Sequence, residues 1–201
     1  MNVSEIVRRL FIHGMVRIGR FRLTSGIESP FYIDLRKLYS YPDLAIAIAD
    51  EIVARFNVRK FDAVVGVATA GIALASYVAS RAGIAMGYVR SERKAHGTES
   101  VVEGELRGLR VAIIDDVATT GGSIERAYRA LKEHGAEPVE AIVVVDREQG
   151  ARERLRALGI ELRSLLTARQ IFRELRSMGL IDENSFREVM EYLDKWSRAS
   201  Q

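Results

Sequence analysis

From residue 42 onward, short apolar runs alternate with segments of helical periodicity, and that alternation constrains the fold more than any other feature of the chain. The run AVVGVA at 63–68 carries no polar side chain, and further strands are expected at 85–89, 110–114, 139–145 and 161–165. Helices are expected at 42–56, 71–82, 123–133 and 151–158. A strand without polar alternation is buried on both faces, and strands separated by helices pair in parallel. The reading is an α/β fold, a parallel sheet flanked by helices.

The first 40 residues follow another pattern. A helix is expected over 4–14, opened by Ser4 as cap, with Ile6, Val7, Leu10 and Phe11 on one face. Polar and apolar residues then alternate over 16–23, turn through TSGIESP, and alternate again at Phe31, Ile33 and Leu35. This predicts a small antiparallel hairpin, a hood over the main sheet. At the other end, Thr167 with Gln170 and Ser185 with Glu188 have capping-box spacing and open two C-terminal helices within 167–201. Tyr192 and Trp196 are expected to pack that tail, read as structural, on the body.

No repeat, linker or low-complexity tract divides the 201 residues, so one domain is expected. The exception to regular patterning is RSERKAHGTESVVEGELRG at 90–108, which lacks periodicity. Loops this long in compact domains are usually functional or disordered, and a mobile lid is the expectation.

Composition removes several classes of function. There is no cysteine, which excludes disulfides, thiolate metal sites and cysteine nucleophiles and points to a cytoplasmic location. Lysine and arginine total 30 against 27 acidic residues, interspersed, which is not the footprint of a nucleic-acid partner. No stretch approaches the ~20 apolar residues of a membrane span.

The chemistry concentrates in VAIIDDVATTGGS at 111–123. An apolar strand ends in Asp115 and Asp116, and a small-residue loop opens a helix. In open parallel sheets ligands collect at the carboxyl ends of strands. The amides of Thr119, Thr120, Gly121, Gly122 and Ser123 stand at a helix start, where unsatisfied donors and partial positive charge receive a phosphate. The two carboxylates beside it can accept hydrogen bonds from sugar hydroxyls, or hold magnesium together with substrate oxygens. His13 and His134 adjoin the helix-ending glycines Gly14 and Gly135 and read as structural.

This segment resembles the phosphoribosyl-diphosphate signature of type I phosphoribosyltransferases. Three other stretches are similar to the orotate phosphoribosyltransferase family, in family order. FRLTSGIESPFYIDLR at 21–36 resembles its N-terminal hood, where Ser25, Phe31 and Tyr32 contribute to the orotate pocket. RSERKAHG at 90–97 resembles its mobile catalytic loop, with Arg90, Lys94 and His96 in matching places, and DREQG at 146–150 resembles the segment whose arginine, Arg147, meets the acceptor. The resemblance implies transfer of phosphoribosyl from phosphoribosyl diphosphate to orotate, with Mg2+ as cofactor and Lys94, His96 and Asp116 as catalytic residues. It also implies a homodimer with shared active sites. Ser91, Thr24 and Ala70 stand where better-known bacterial members carry cations, and Arg93 is placed to replace the first. Two alternatives share the phosphate segment: a purine-type phosphoribosyltransferase and a non-catalytic regulator that senses phosphoribosyl diphosphate.

Overall fold

The computed structural model describes residues 1–22, 28–91 and 101–199. Helix α1 (Val3–Ile12) leads into β1 (Val16–Arg22) and β2 (Glu28–Ile33), which pair antiparallel with Val16 opposite Ile33. Then come α2 (Pro42–Phe56), β3 (Ala63–Val67), α3 (Ala70–Ala82), β4 (Ala85–Val89) and the two-residue β5 (Val102–Glu103). The second half holds β6 (Arg110–Ala118), α4 (Gly122–His134), β7 (Glu137–Asp146), α5 (Ala151–Arg156) and β8 (Glu161–Thr167). Helices α6 (Ala168–Ser177) and α7 (Glu183–Ala199) close the chain.

The main sheet has the order β5-β4-β3-β6-β7-β8, parallel except for β5. Successive side chains along a strand face opposite ways, so each strand feeds two cores. Val64, Ala112, Ile114 and Ile142 pack with α2, α3 and the terminal helices, whereas Val65, Val111, Ile113 and Val143 pack with α4 and α5. Chain order moves outward from β3 to β4 in one direction and from β6 to β7 in the other. The reversal leaves a crevice at the carboxyl ends of β3 and β6, where open sheets bind ligands.

Several local expectations change. Asn2, not Ser4, caps α1, accepting the Glu5 N–H at 2.8 Å, while the Ser4 hydroxyl donates to Glu174 at 2.8 Å. Strand β6 continues to Ala118, so Asp115 and Asp116 lie within its last turns of pleat and not beyond it. Thr167 and Gln170 form the expected capping box, but Ser185 lies inside α7 and its N–H and hydroxyl both donate to Asp182, which holds the cap position instead. The 90–108 stretch is not structureless throughout: β5 pairs with β4, Leu106 is buried, and Arg90 N–H donates to Val101 O at 2.9 Å. No helix among the described residues is long and apolar enough to cross a membrane.

Candidate active site

A cavity of about 710 Å³ opens at the crevice between β3 and β6. One wall is the end of β6 and the loop into α4, contributing Asp115, Asp116, Thr119, Thr120 and Ser123. The loop Ala68 to Ala70 forms the floor, and Arg22, Tyr32, Asp34 and Arg36 of the hood region face it. Arg147, just after β7, closes the far side.

The acid pair combines a buried Asp115 with a half-buried Asp116. Asp115 is 7% exposed, and its Oδ1 accepts the Asp116 N–H at 2.9 Å while Oδ2 accepts the Ser123 hydroxyl at 3.2 Å. Burial, and then the neighbouring Asp116 charge, push the Asp115 carboxyl well above the usual carboxylate range. Burial also raises Asp116, although the Val117 N–H at 2.8 Å favours its ionised form. Gly71 permits this arrangement: a Cβ there would lie 2.5 Å from Ile114 O and 3.1 Å from Asp115 Oδ1. The first turn of α3 thus lies directly against the acidic strand.

The loop into α4 is shaped by its glycines. Gly121 caps α4 with φ 79°, a conformation that disfavours side chains, and Ala151 Cα lies 3.2 Å from where its Cβ would stand. Thr119, Thr120 and Ser123 line the cavity, while Gly121 and Gly122 set the path of the chain behind them. At the floor, the Tyr39 hydroxyl donates to Ala70 O at 2.8 Å, and burial followed by the Asp116 and Asp115 charges raises its pKa. The Ala68–Thr69 peptide is cis.

Arg147 is not the surface charge that an arginine after a strand usually is. It is 4% exposed, its guanidinium carbon lies 4.8 Å from the Phe31 ring centroid, and Nη2 donates to Ser29 Oγ at a long 3.4 Å. No carboxylate pairs with it among the described residues, Nε has no hydrogen-bond partner there, and burial lowers its pKa. Phe31 is fully buried behind the cavity wall, against Phe172 and Tyr192, so it supports the arginine and does not itself line the space. Tyr32 does line it.

Arg90 stands apart from this cavity, its Nε 3.3 Å from Glu103 Oε1 at the foot of the 90–108 segment. Ser25, Lys94 and His96, with Thr24 and Arg93, lie outside the described residues. Three charged cavity residues went unremarked in the sequence: Arg22, Asp34 and Arg36. Arg22 is the last residue of β1 and belongs to the polar-apolar alternation at 16–23, a usable signal. Asp34 and Arg36 pair at 2.6 Å, a contact that holds the Asp34 carboxyl below its usual range.

Comparison with known proteins matches residues 35–157 to the phosphoribosyl transferase domain. An orotate phosphoribosyltransferase of Staphylothermus marinus is 45% identical over 193 residues, covering 96% of this chain and 95% of that one. The crystal structure of orotate phosphoribosyltransferase from Aeropyrum pernix matches with a TM-score of 0.76 at 39% identity, over 88% of this chain and 99% of that one. The structure of Leishmania donovani UMP synthase matches at 0.88 and 32% identity, over 98% of this chain but 43% of that longer one. Such likeness extends well beyond the phosphate segment that many phosphoribosyltransferases share, through the hood and the terminal helices. The chain therefore belongs to the orotate phosphoribosyltransferase family.

Proposed function

We propose that the chain transfers the phosphoribosyl group of phosphoribosyl diphosphate to orotate, releasing pyrophosphate and giving orotidine 5′-monophosphate, a step of de novo pyrimidine biosynthesis. The observation that carries this reading is Arg147, a buried guanidinium at the cavity wall with no carboxylate partner among the described residues. A buried charge left unpaired is costly, so this one is built to receive an anion. Orotate brings a carboxylate; a purine base does not, and would leave the charge uncompensated.

The 5′-phosphate belongs at the start of α4, on the amides of 119–123, and the ribose hydroxyls belong against Asp115 and Asp116. The diphosphate then points toward the 68–71 loop. Deprotonated ring nitrogen attacks the anomeric carbon as the bond to the diphosphate oxygen breaks, and the proton leaves with solvent. No protein nucleophile is needed, so the protein acts by positioning and by charge stabilisation. Lys94, His96 and Arg90 serve the leaving diphosphate in this reading.

Magnesium is part of the proposal. Among the described residues no cluster of three or more histidine, cysteine or acidic side chains could hold a metal alone. Asp115 is hydrogen-bonded on both oxygens, while Asp116 is more open to the cavity. That donor set fits an ion held mainly by substrate oxygens and water, with Asp116 the nearer carboxylate. When bound, the ion neutralises diphosphate charge. We also assign a homodimer with shared sites and a cytoplasmic location, where a polyanionic substrate that no bilayer passes is retained.

The test offers purified protein phosphoribosyl diphosphate and magnesium with orotate, uracil, adenine, guanine or hypoxanthine separately. Consumption of orotate alone is expected. Turnover of a purine with orotate untouched rejects the assignment, and binding of phosphoribosyl diphosphate without turnover of any base favours the regulator.

A further inference from the structure

Arg147 lies on a loop that is tied twice to the C-terminal helix α7. Two residues after it, Gln149, 2% exposed, donates from Nε2 to the Tyr192 hydroxyl at 2.8 Å. The ring of the same tyrosine meets Phe31 edge-on, with centroids 5.8 Å apart, and Phe31 is the surface on which the guanidinium rests. The second tie runs through Glu148, which has φ 59° and so occupies a left-handed conformation rare for a side chain of its kind. Glu148 accepts the Arg169 N–H at 2.8 Å, and the Arg169 guanidinium reaches Asp194 of α7 at 2.9 Å. Helix α7 lies wholly outside the 35–157 region that defines the phosphoribosyl transferase domain.

A buried arginine whose side chain makes one long hydrogen bond among the described residues is held there by packing more than by polar partners. Its direction is then set by the ring beneath it and by the loop that carries it, and both rest on Tyr192. We propose that Tyr192 is a positioning residue for the acceptor, acting through Phe31 and Gln149 to aim Arg147, so that α7 belongs to the acceptor half of the site. The tail, structural by its sequence, thereby gains a role in catalysis. This inference rests on the orotate reading above.

Among the described residues the hydrogen bond and ring contacts of Tyr192 go to Gln149, Phe31 and Trp196, away from the 115–123 segment, which makes the effect of its loss selective. In Tyr192→Ala the KM for orotate rises, or kcat/KM for orotate falls, on the order of tenfold or more, because misplacement of a binding group by about 1 Å costs that much. The Kd for phosphoribosyl diphosphate, measured by titration calorimetry, stays within about twofold of wild type, as for sites that do not share partners. Tyr192→Phe keeps the ring under Phe31 and loses only the hydroxyl, so it falls between wild type and Tyr192→Ala. In an Arg147→Ala background, Tyr192→Ala adds no further loss with orotate, because two residues acting through one contact are not additive.

Equal weakening for both substrates, or full additivity with Arg147→Ala, would show a purely structural tyrosine and overturn the proposal. Should Tyr192→Ala not fold, Tyr192→Leu removes both the hydroxyl and the ring edge while filling much of the space, and an unchanged orotate KM in it overturns the proposal equally. Wild-type protein that ignores orotate sinks the functional reading together with this one. Wild-type turnover of orotate that the variants share unchanged sinks the positioning role alone.

Discussion

A charge on Asp115 is one the fold would be better off without. Its carboxyl is raised by burial and by Asp116, so the folded chain holds that proton more tightly than the unfolded chain does. Between the ordinary aspartate pKa near ~3.9 and the raised folded value, stability therefore falls as pH rises, and above the folded value the penalty stands in full. Asp115→Asn keeps an oxygen for the Asp116 N–H and a donor for Ser123 while removing the charge. Ligand-free variant is expected to melt a few degrees above wild type at pH 7, where about 1 kcal/mol moves Tm by roughly 2–4 °C in a chain of this size. The gap should close at low pH, and orotate turnover should drop. Calorimetric scans from pH 4 to 8 check it, and a variant that melts below wild type throughout rejects the argument. The acid pair was legible in the sequence because its chemistry is local: two acids, then small residues, at the end of an apolar run. The surroundings of Phe31 and Arg147 were not, since they are supplied by Phe172 and Tyr192, far along the chain.

Elements meet at this site with little clearance. Gly71→Ala places a methyl 2.5 Å from Ile114 O, a backbone atom that cannot swing aside, so α3 must move away from β6. Overpacking of this kind costs about 1–3 kcal/mol. Weaker binding of phosphoribosyl diphosphate is expected with it, because the 68–70 floor moves with the helix; unchanged binding in a titration would place the diphosphate elsewhere. At the tail, Thr167→Ala removes a capping box and should lower stability by about 0.5–2 kcal/mol with the orotate KM unchanged, measured by denaturant melts alongside kinetics. The Thr167 and Gln170 spacing announced that cap correctly. The equally spaced Ser185 and Glu188 did not, because Asp182, three residues ahead of Ser185, offers a better acceptor to the same N–H. Strand β5 was illegible for another reason: two residues make no periodicity, and its pairing is decided by the β4 edge.

For the whole molecule, alternation of strand and helix made the parallel sheet readable, but not its order, since the reversal between β3 and β6 depends on which face each helix covers. Assembly is tested by mixing. Lys94→Ala and Arg147→Ala proteins, each expected to be nearly inactive, are unfolded together in equal amounts and refolded. If one chain's lid serves its neighbour's site, about half the dimers are mixed, each has one intact site, and about a quarter of wild-type activity returns. No recovery despite mixed dimers rejects sharing. Within each chain, the two ends are also interdependent: Ser4 bonds Glu174 across 170 positions, and Phe31 of β2 rests on side chains of α6 and α7. On the ribosome, at about 5–20 residues per second, 170 positions take roughly 10–30 s to make. The hood is thus synthesised well before the helices it rests on, with Ile6, Val7 and Leu10 lacking their final cover until then. The wall around Arg147 and Phe31 is complete only once α6 and α7 have been made, so a chain stalled before α6 has the 111–123 segment but lacks Phe172 and Tyr192 behind Phe31.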